Sequence, residues 1–256
     1  MVPHSFELRE FFHLALLRHL HARLSGRYAY AVKGGICLRC FHRSPRLSQG
    51  MDLDVAPDIR VRELQEAVDS ILGERAFLSS LLTQGIARLE VRKLTQTEES
   101  QRWKATLIPT AGEPVPTTVN FSRNSASVNY ASAVPDAEML WHYRVAPFAA
   151  RFYDATAMAV QKLGALAAPA RNAARDLFDI HHLFSVVLVQ PLSLADMVAP
   201  RTVERAAHKV DGFTYGDFKE QVLPYLPGEL MDVYRGAQAF LQQKIEVEQA
   251  LLAMRP

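Results

Sequence analysis

Two stretches of this chain carry residue types that can handle a phosphate. The first is Lys33-Gly34-Gly35, at the end of an alternating segment from Tyr28 to Val32 that reads as a short strand. Backbone without Cβ atoms turns tightly and approaches a ligand closely. Ile36 to Phe41 reads as the start of a helix, so Gly34 and Gly35 fall at a strand-to-helix turn. Free N–H groups and the helix dipole favour an anion there. The second stretch is Met51-Asp52-Leu53-Asp54-Val55. Strand residues alternate faces, so Asp52 and Asp54 project together while Met51, Leu53 and Val55 point into a core. Carboxylates this close repel unless a cation separates them. Hard oxygen ligands suit Mg²⁺, which takes one or two carboxylates plus substrate phosphate oxygens. A glycine turn for phosphate and an acidic strand for metal together make a nucleotide site.

Further along, Lys162 stands alone in the apolar run Ala157 to Leu166. Periodicity favours a lysine that snorkels to solvent. Arg175-Asp176-Leu177-Phe178-Asp179 follows. Asp176 and Asp179 share a helical face, as do Arg175 and Asp179. Read from spacing alone, this is a surface ion pair at a helix start.

The elements that position these groups follow from pattern. Residues 5 to 24 form an apolar helix, capped by Ser5 and ended by Ser25-Gly26, with His13, His19 and His21 on its surface or core edge. Helices are expected over 59–72 and 75–84. Alternating runs over 87–94, 102–109 and 115–122 read as an antiparallel meander. Residues 124 to 147, with breakers at Asn124, Pro135 and Pro147, read as irregular. The stretch from Phe148 to Val187 reads as helical, and the remainder as further helices. Arg205 and Lys209 suggest a basic face there.

Composition sets outer limits. The chain has 256 residues, 49% hydrophobic and 22% charged, with a net charge of +2. That is globular, and charge alone implies no nucleic-acid partner. Cys37 and Cys40, without a second pair, read as small buried residues rather than a metal or redox site. No apolar run is long enough for a membrane span, and the N-terminal residues lack signal-peptide order, so a cytoplasmic protein is expected.

Taken together, Lys33-Gly34-Gly35, Arg46-x-Ser48, Asp52-x-Asp54, Lys162-x-x-Ala165 and Arg175-Asp176-x-x-Asp179 resemble the motifs of the AbiEii family of toxin nucleotidyltransferases. Gln161 replaces the Glu usual before the lysine. The resemblance implies an α/β (α+β) fold: a nucleotidyltransferase-like mixed-sheet domain over 1–135, then a helical domain over 136–256 that completes a nucleotide cleft. It implies NTP and Mg²⁺ as ligands, a cognate antitoxin, and a tRNA or other RNA 3′ end as acceptor. By the same resemblance, Lys33, Gly34, Gly35, Ser48 and Arg175 bind nucleotide and Asp52 and Asp54 hold metal. Lys162 contacts phosphates. Asp176 is an essential acid, a candidate base for the acceptor hydroxyl, braced by Arg175 and Asp179.

Two positions depart from that pattern. Family members commonly read Arg-x-Ser-x-Asp-x-Asp, and counting from Arg46 puts the first acid at Gly50. Asp52 is then the second acid and Asp54 an additional one; the other register takes Asp52 and Asp54 as the pair. Strand period keeps all of them on one face either way. A third acid, expected from a later strand, falls at Asn120. These departures keep open a weakened, inactivated or non-catalytic nucleotide- or partner-binding homologue. The acceptor side likewise leaves open transfer to a small molecule or a protein.

Overall fold

The structure, a computed structural model, describes residues 4–24, 30–123 and 128–254. Tyr28 and Ala29 of the expected first strand, the Ser25-Gly26 helix stop and the breaker Asn124 lie outside the described residues. The chain divides into two compact units. One comprises Val2–Arg43 and Leu47–Tyr153, the other Ser44–Arg46 and Asp154–Pro256.

The first unit is built on a seven-stranded mixed sheet in the order β3-β4-β5-β2-β1-β7-β6. In chain order it runs α1 (His4–Leu24), β1 (Tyr30–Lys33), α2 (Gly34–Phe41), β2 (Met51–Val55), α3 (Val61–Gly73) and α4 (Arg75–Thr83). Then come β3 (Ile86–Gln96), β4 (Ser100–Pro109), β5 (Val115–Ser122), β6 (Tyr130–Ala133), α5 (Ala137–His142) and β7 (Ala150–Tyr153). Strands β3, β4 and β5 form the antiparallel meander, and β2 joins it parallel to β5. Strand β1 pairs antiparallel with β2 and parallel with β7.

Alternation decides which sheet face is covered. On β4, Gln101, Trp103, Ala105 and Leu107 are buried; on β5, Val115, Thr117, Val119 and Phe121 are. Helices α1 and α3 lie on that face, tied by Trp103 Nε1 donating to Asp69 (2.9 Å) and Gln101 Nε2 to the Val61 carbonyl (3.0 Å). Helix α1 is buried on every side from Glu10 to Leu17, with Phe12, Leu14, Leu16, Leu17 and Leu20 fully buried. Such a helix belongs inside a domain rather than on its surface. It also buries His13, read as a surface or core-edge residue. The His13 Nε2 lies 2.7 Å from Thr117 Oγ1, and that hydroxyl donates to the Gln49 carbonyl (3.1 Å). The His13 Nε2 must therefore carry the ring proton. Burial, and then the nearby charge of Arg9, push this imidazole down to about 3.

Two segments differ from their sequence pattern. Residues 124–147 are not irregular throughout, because they hold β6 and α5. The signal was Asp136, whose side chain caps α5 by accepting from the Glu138 and Met139 N–H groups (3.0 and 3.2 Å). Residues 150–153, read as helix, are strand β7. Four residues are too few to show a period, and the pairing with β1 and β6 makes the strand. The sheet unit thus continues past residue 135 to Tyr153.

The second unit is helical: α6 (Ala155–Ala167), α7 (Ala174–Ser185), α8 (Pro200–Gly212), α9 (Tyr215–Gln221), α10 (Gly228–Val233) and α11 (Ala237–Ala253). Asp154 caps α6 by accepting from the Ala157 N–H (2.7 Å). Helix α6 packs on α7 and α8, and α11 packs on the same two helices. Lys209 does not face solvent as a basic patch. Its ammonium donates to the carbonyls of Ala168 (2.6 Å), Pro169 (3.3 Å) and Arg171 in the turn after α6. No described helix is long and apolar enough to cross a membrane.

Candidate active site

In the sheet unit the expected turn forms as read. Strand β1 ends at Lys33 and α2 begins at Gly34, which sits at φ +68°, a conformation L side chains avoid. A Cβ on Gly34 would lie 2.9 Å from Asp52 Oδ2. Glycine is required here twice over, by its backbone angle and by the carboxylate packed against it. The Asp52 carboxylate thus occupies the positive end of α2. Its other oxygen, Oδ1, accepts from Asn120 Nδ2 (2.9 Å), the residue standing where a third acid was expected. Asn120 spends its donor on Asp52 and its Oδ1 on Arg102 Nε (3.0 Å).

Asp54 is placed differently. It is 3% exposed, and its oxygens accept from Lys33 Nζ (3.1 Å), Ser122 Oγ (3.3 Å) and Tyr153 Oη (2.7 Å). Lys33 also donates to Ser122 Oγ (2.5 Å). Ser48 Oγ donates to the Gly50 carbonyl (2.7 Å) and shapes the turn into β2. A Cβ at Gly50 would lie 2.7 Å from Thr118 Oγ1 and 3.2 Å from the Thr118 carbonyl. Position 50 therefore cannot carry an acid unless Thr118 yields.

These contacts test the expected Mg²⁺ pair. Asp52 is half-buried, accepts from one neutral side chain among the described residues, and fits a ligand role. Asp54 does not: an ammonium and two hydroxyls already fill the positions a divalent ion would take. Among the described residues no group of three His, Cys, Asp or Glu side chains gathers to hold a metal. Cys37 and Cys40 are buried free thiols, as composition suggested.

The helical unit holds the second cluster, and here the sequence reading needs correcting. Lys162 does not snorkel; it is 5% exposed. Its Nζ donates to Asp176 Oδ1 (3.1 Å) and pairs with Asp179 Oδ2 (2.6 Å). Asp176 and Asp179 are fully buried, so they are no surface pair. Asp179 receives both arms of the Arg46 guanidinium, Nε and Nη2, each at 2.8 Å. Asp176 receives Arg171 Nε (2.5 Å) and Nη2 (3.0 Å). Burial alone would raise both carboxyls. For Asp176 the Lys162 charge and the Arg171 hydrogen bond outweigh it, and for Asp179 the Arg46 and Lys162 charges do. Both are held below the usual carboxylate range. Three cations, Arg46, Lys162 and Arg171, surround these two carboxylates. Arg175, on the half-exposed side of α7, makes no ion pair with a described residue.

Sequence reasoning missed Arg171 and Tyr153. No spacing signals either one. Arg171 reaches Asp176 because the turn between α6 and α7 folds back, and Tyr153 reaches Asp54 only through the β1–β7 pairing. An open apolar groove of about 780 Å³ beside Trp141 contains none of the candidate residues.

Comparison with known proteins follows this geometry. The chain is similar in structure to a candidate nucleotidyltransferase of Helicobacter pylori, at 15% identity and a TM-score of 0.55, covering 99% of this chain and 96% of that one. It is also similar to the MenT4 nucleotidyltransferase toxin of Mycobacterium tuberculosis, at 15% identity and a TM-score of 0.57, covering 99% and 95%. At that identity the likeness shows a shared nucleotidyltransferase-like fold, the mixed sheet with helices. A search of curated proteins finds no match. The model of the AbiEii nucleotidyl transferase toxin family, of type IV toxin–antitoxin systems, matches residues 15–251, so the chain belongs to that family.

Proposed function

We propose that the chain transfers a nucleoside monophosphate from an NTP to a hydroxyl of an RNA acceptor, a tRNA 3′ end first among candidates, as the toxin partner of a cognate antitoxin. The observation that carries this reading is the turn at Gly34, a positive-φ glycine opening α2 with the Asp52 carboxylate against it. Phosphate oxygens drawn to that helix end lie beside Asp52. Like charges so placed need a cation between them. Asp52 would be the protein carboxylate that holds a magnesium ion bound with the triphosphate, and the ion would supply charge neutralisation on the phosphates.

The chain's own residues take the remaining roles. The Gly34-Gly35 backbone presents N–H groups to phosphate oxygens. Asp54 holds Lys33 upright beside the turn. In the helical unit, Asp176 and Asp179 hold Lys162 and Arg171 as fixed cations, the charge type that phosphate oxygens seek. A carboxylate held by two cations is a weak base, so Asp176 serves by orienting Lys162 rather than by taking the acceptor proton. Arg175, half-exposed, is proposed as a further phosphate contact.

Incubation with labelled NTPs, Mg²⁺ and total tRNA tests this reading. Label on RNA, lost in Asp52→Asn and Lys162→Met, is expected. No label on RNA from any NTP removes the RNA acceptor. A second reading, a nucleotide-binding homologue without transfer activity, draws on Gly50, Asn120 and the occupied Asp54. Calorimetry separates the two: NTP binding indifferent to Mg²⁺, with no pyrophosphate released, favours the second. Restoring the acid calls for the pair Gly50→Asp with Thr118→Ala, since Gly50→Asp alone collides with Thr118.

A further inference from the structure

The sheet face opposite α1 and α3 carries charges that the site above does not use. Cross-strand register places Arg92 of β3 opposite Lys104 of β4, and Lys104 opposite Thr118 of β5. One step along β4, Arg102 stands opposite Asn120, which stands opposite Asp52. Residues paired this way share one face, neighbouring strands are about 5 Å apart, and alternate residues on a strand are about 7 Å apart. Arg92, Lys104 and Arg102 are all exposed.

Like charges directly opposite one another destabilise a sheet. Proteins usually relieve such a pair with an acid, and this face does so elsewhere: Arg88, on the same strand face, pairs with Glu90 at 2.6 Å. Lys93, on the other face, pairs with Asp69 at 2.9 Å. Arg92 and Lys104 have no ion pair with a described residue. The Arg102 guanidinium makes no ion pair with a described residue; its Nε donates to the neutral Asn120 Oδ1, and through Asn120 it connects to Asp52. The result is a run of three cations leading from the open edge of the sheet to the candidate metal carboxylate. A single phosphate would not span it.

We propose that Arg92, Lys104 and Arg102 form a track for the sugar–phosphate backbone of a nucleic-acid acceptor, guiding its end toward Asp52. The proposal rests on the transfer reading for its direction, since Asp52 is the end point only if the acceptor reacts there. Contacts of this kind are sequence-independent and salt-dependent. An acidic protein segment is the competing occupant; the two-row layout, with cations on adjacent strands and along one strand, suits a continuous chain of phosphates better than carboxylates at side-chain spacing.

Fluorescence anisotropy with a labelled oligoribonucleotide, in the absence of NTP, tests the track apart from the reaction. Arg92→Glu with Lys104→Glu is expected to weaken binding at least about tenfold at low salt. Each single charge removal is expected to reduce the slope of log affinity against log salt by about 0.7 to 0.9. Arg88→Ala with Glu90→Ala, which removes a neutral pair, is expected to change affinity less than about twofold, and thermal melting checks that each variant is folded. Unchanged RNA affinity in the double variant overturns the track. Tighter binding of poly-glutamate than of RNA at equal salt also overturns it, in favour of an acidic protein. The transfer assay then separates the two proposals. Binding lost in the double variant, with no labelled RNA from the wild type, keeps the track and removes the reaction; labelled RNA with binding unaffected by the double variant keeps the reaction and removes the track.

Discussion

The two charged clusters of this chain are built by opposite means. In the helical unit, Asp176 and Asp179 are fully buried and receive every donor that Arg46, Lys162 and Arg171 aim at them. Charges taken this far from water survive only when paired and hydrogen-bonded on all sides, so the cluster is rigid. In the sheet unit, Asp54 is equally satisfied, but Asp52 beside it is half-buried and holds one neutral partner. One cluster fixes a lysine; the other leaves a carboxylate ready for a new cation. A preorganised positive charge and a ligand position that can change occupant are different devices, and each unit supplies one of them.

The largest expected effect comes from breaking the buried cluster. Asp179→Ala leaves Arg46 and Lys162 uncompensated in the interior and is expected to cost about 3 to 5 kcal/mol of unfolding free energy, measured by urea denaturation. A cost near zero would mean that water reaches the cluster. Next, Tyr153→Phe removes one hydrogen bond to a buried carboxylate and is expected to cost about 1.5 to 3 kcal/mol, while the Lys33 ion pair persists.

Acid sharpens the contrast, because the two units respond in different windows. The His13 imidazole is depressed in the fold, to about 3. The folded state therefore binds fewer protons than the unfolded chain below the ordinary histidine range. Stability from this group is full above pH ~6.5 and falls by about 1.4 kcal/mol per unit below it. Between pH 6.5 and 5 the expected loss is about 2 kcal/mol, and His13→Gln is expected to flatten that slope. Asp176 and Asp179 are also depressed, so their contribution is present above pH ~4 and is lost only as pH falls toward their folded values. Hydrogen exchange read separately on α1 and α7 checks this: α1 protection should fall first on acidification. Gly34→Ala is expected to cost about 1 to 2 kcal/mol for the left-handed backbone alone, and its Cβ displaces Asp52, so weaker NTP binding is expected by calorimetry.

Much of the sheet unit was legible because strand alternation and helical period are local. The Lys33-Gly34-Gly35 turn, the β2 strand with both acids on one face, and the β3–β4–β5 meander needed nothing beyond pattern. The four-residue strands β6 and β7 were not legible, since their identity comes from what they pair with. Lys162 misled for a related reason. An apolar helix with one lysine is compatible with snorkelling until two buried carboxylates from the next helix are brought to it. Arg171 and Tyr153 carry no spacing signal at all.

Residue order by itself determined the family, the chemistry of a glycine turn and acidic strand, and the departures at Gly50 and Asn120. Tertiary structure decided which of those groups are free to act. It gave Asp54 to Lys33, Tyr153 and Ser122, left Asp52 half-open, and closed position 50 with Thr118. The reason is physical: a residue type fixes what charge a side chain can carry, but only packing across strands and helices sets which partner neutralises it and how much water remains.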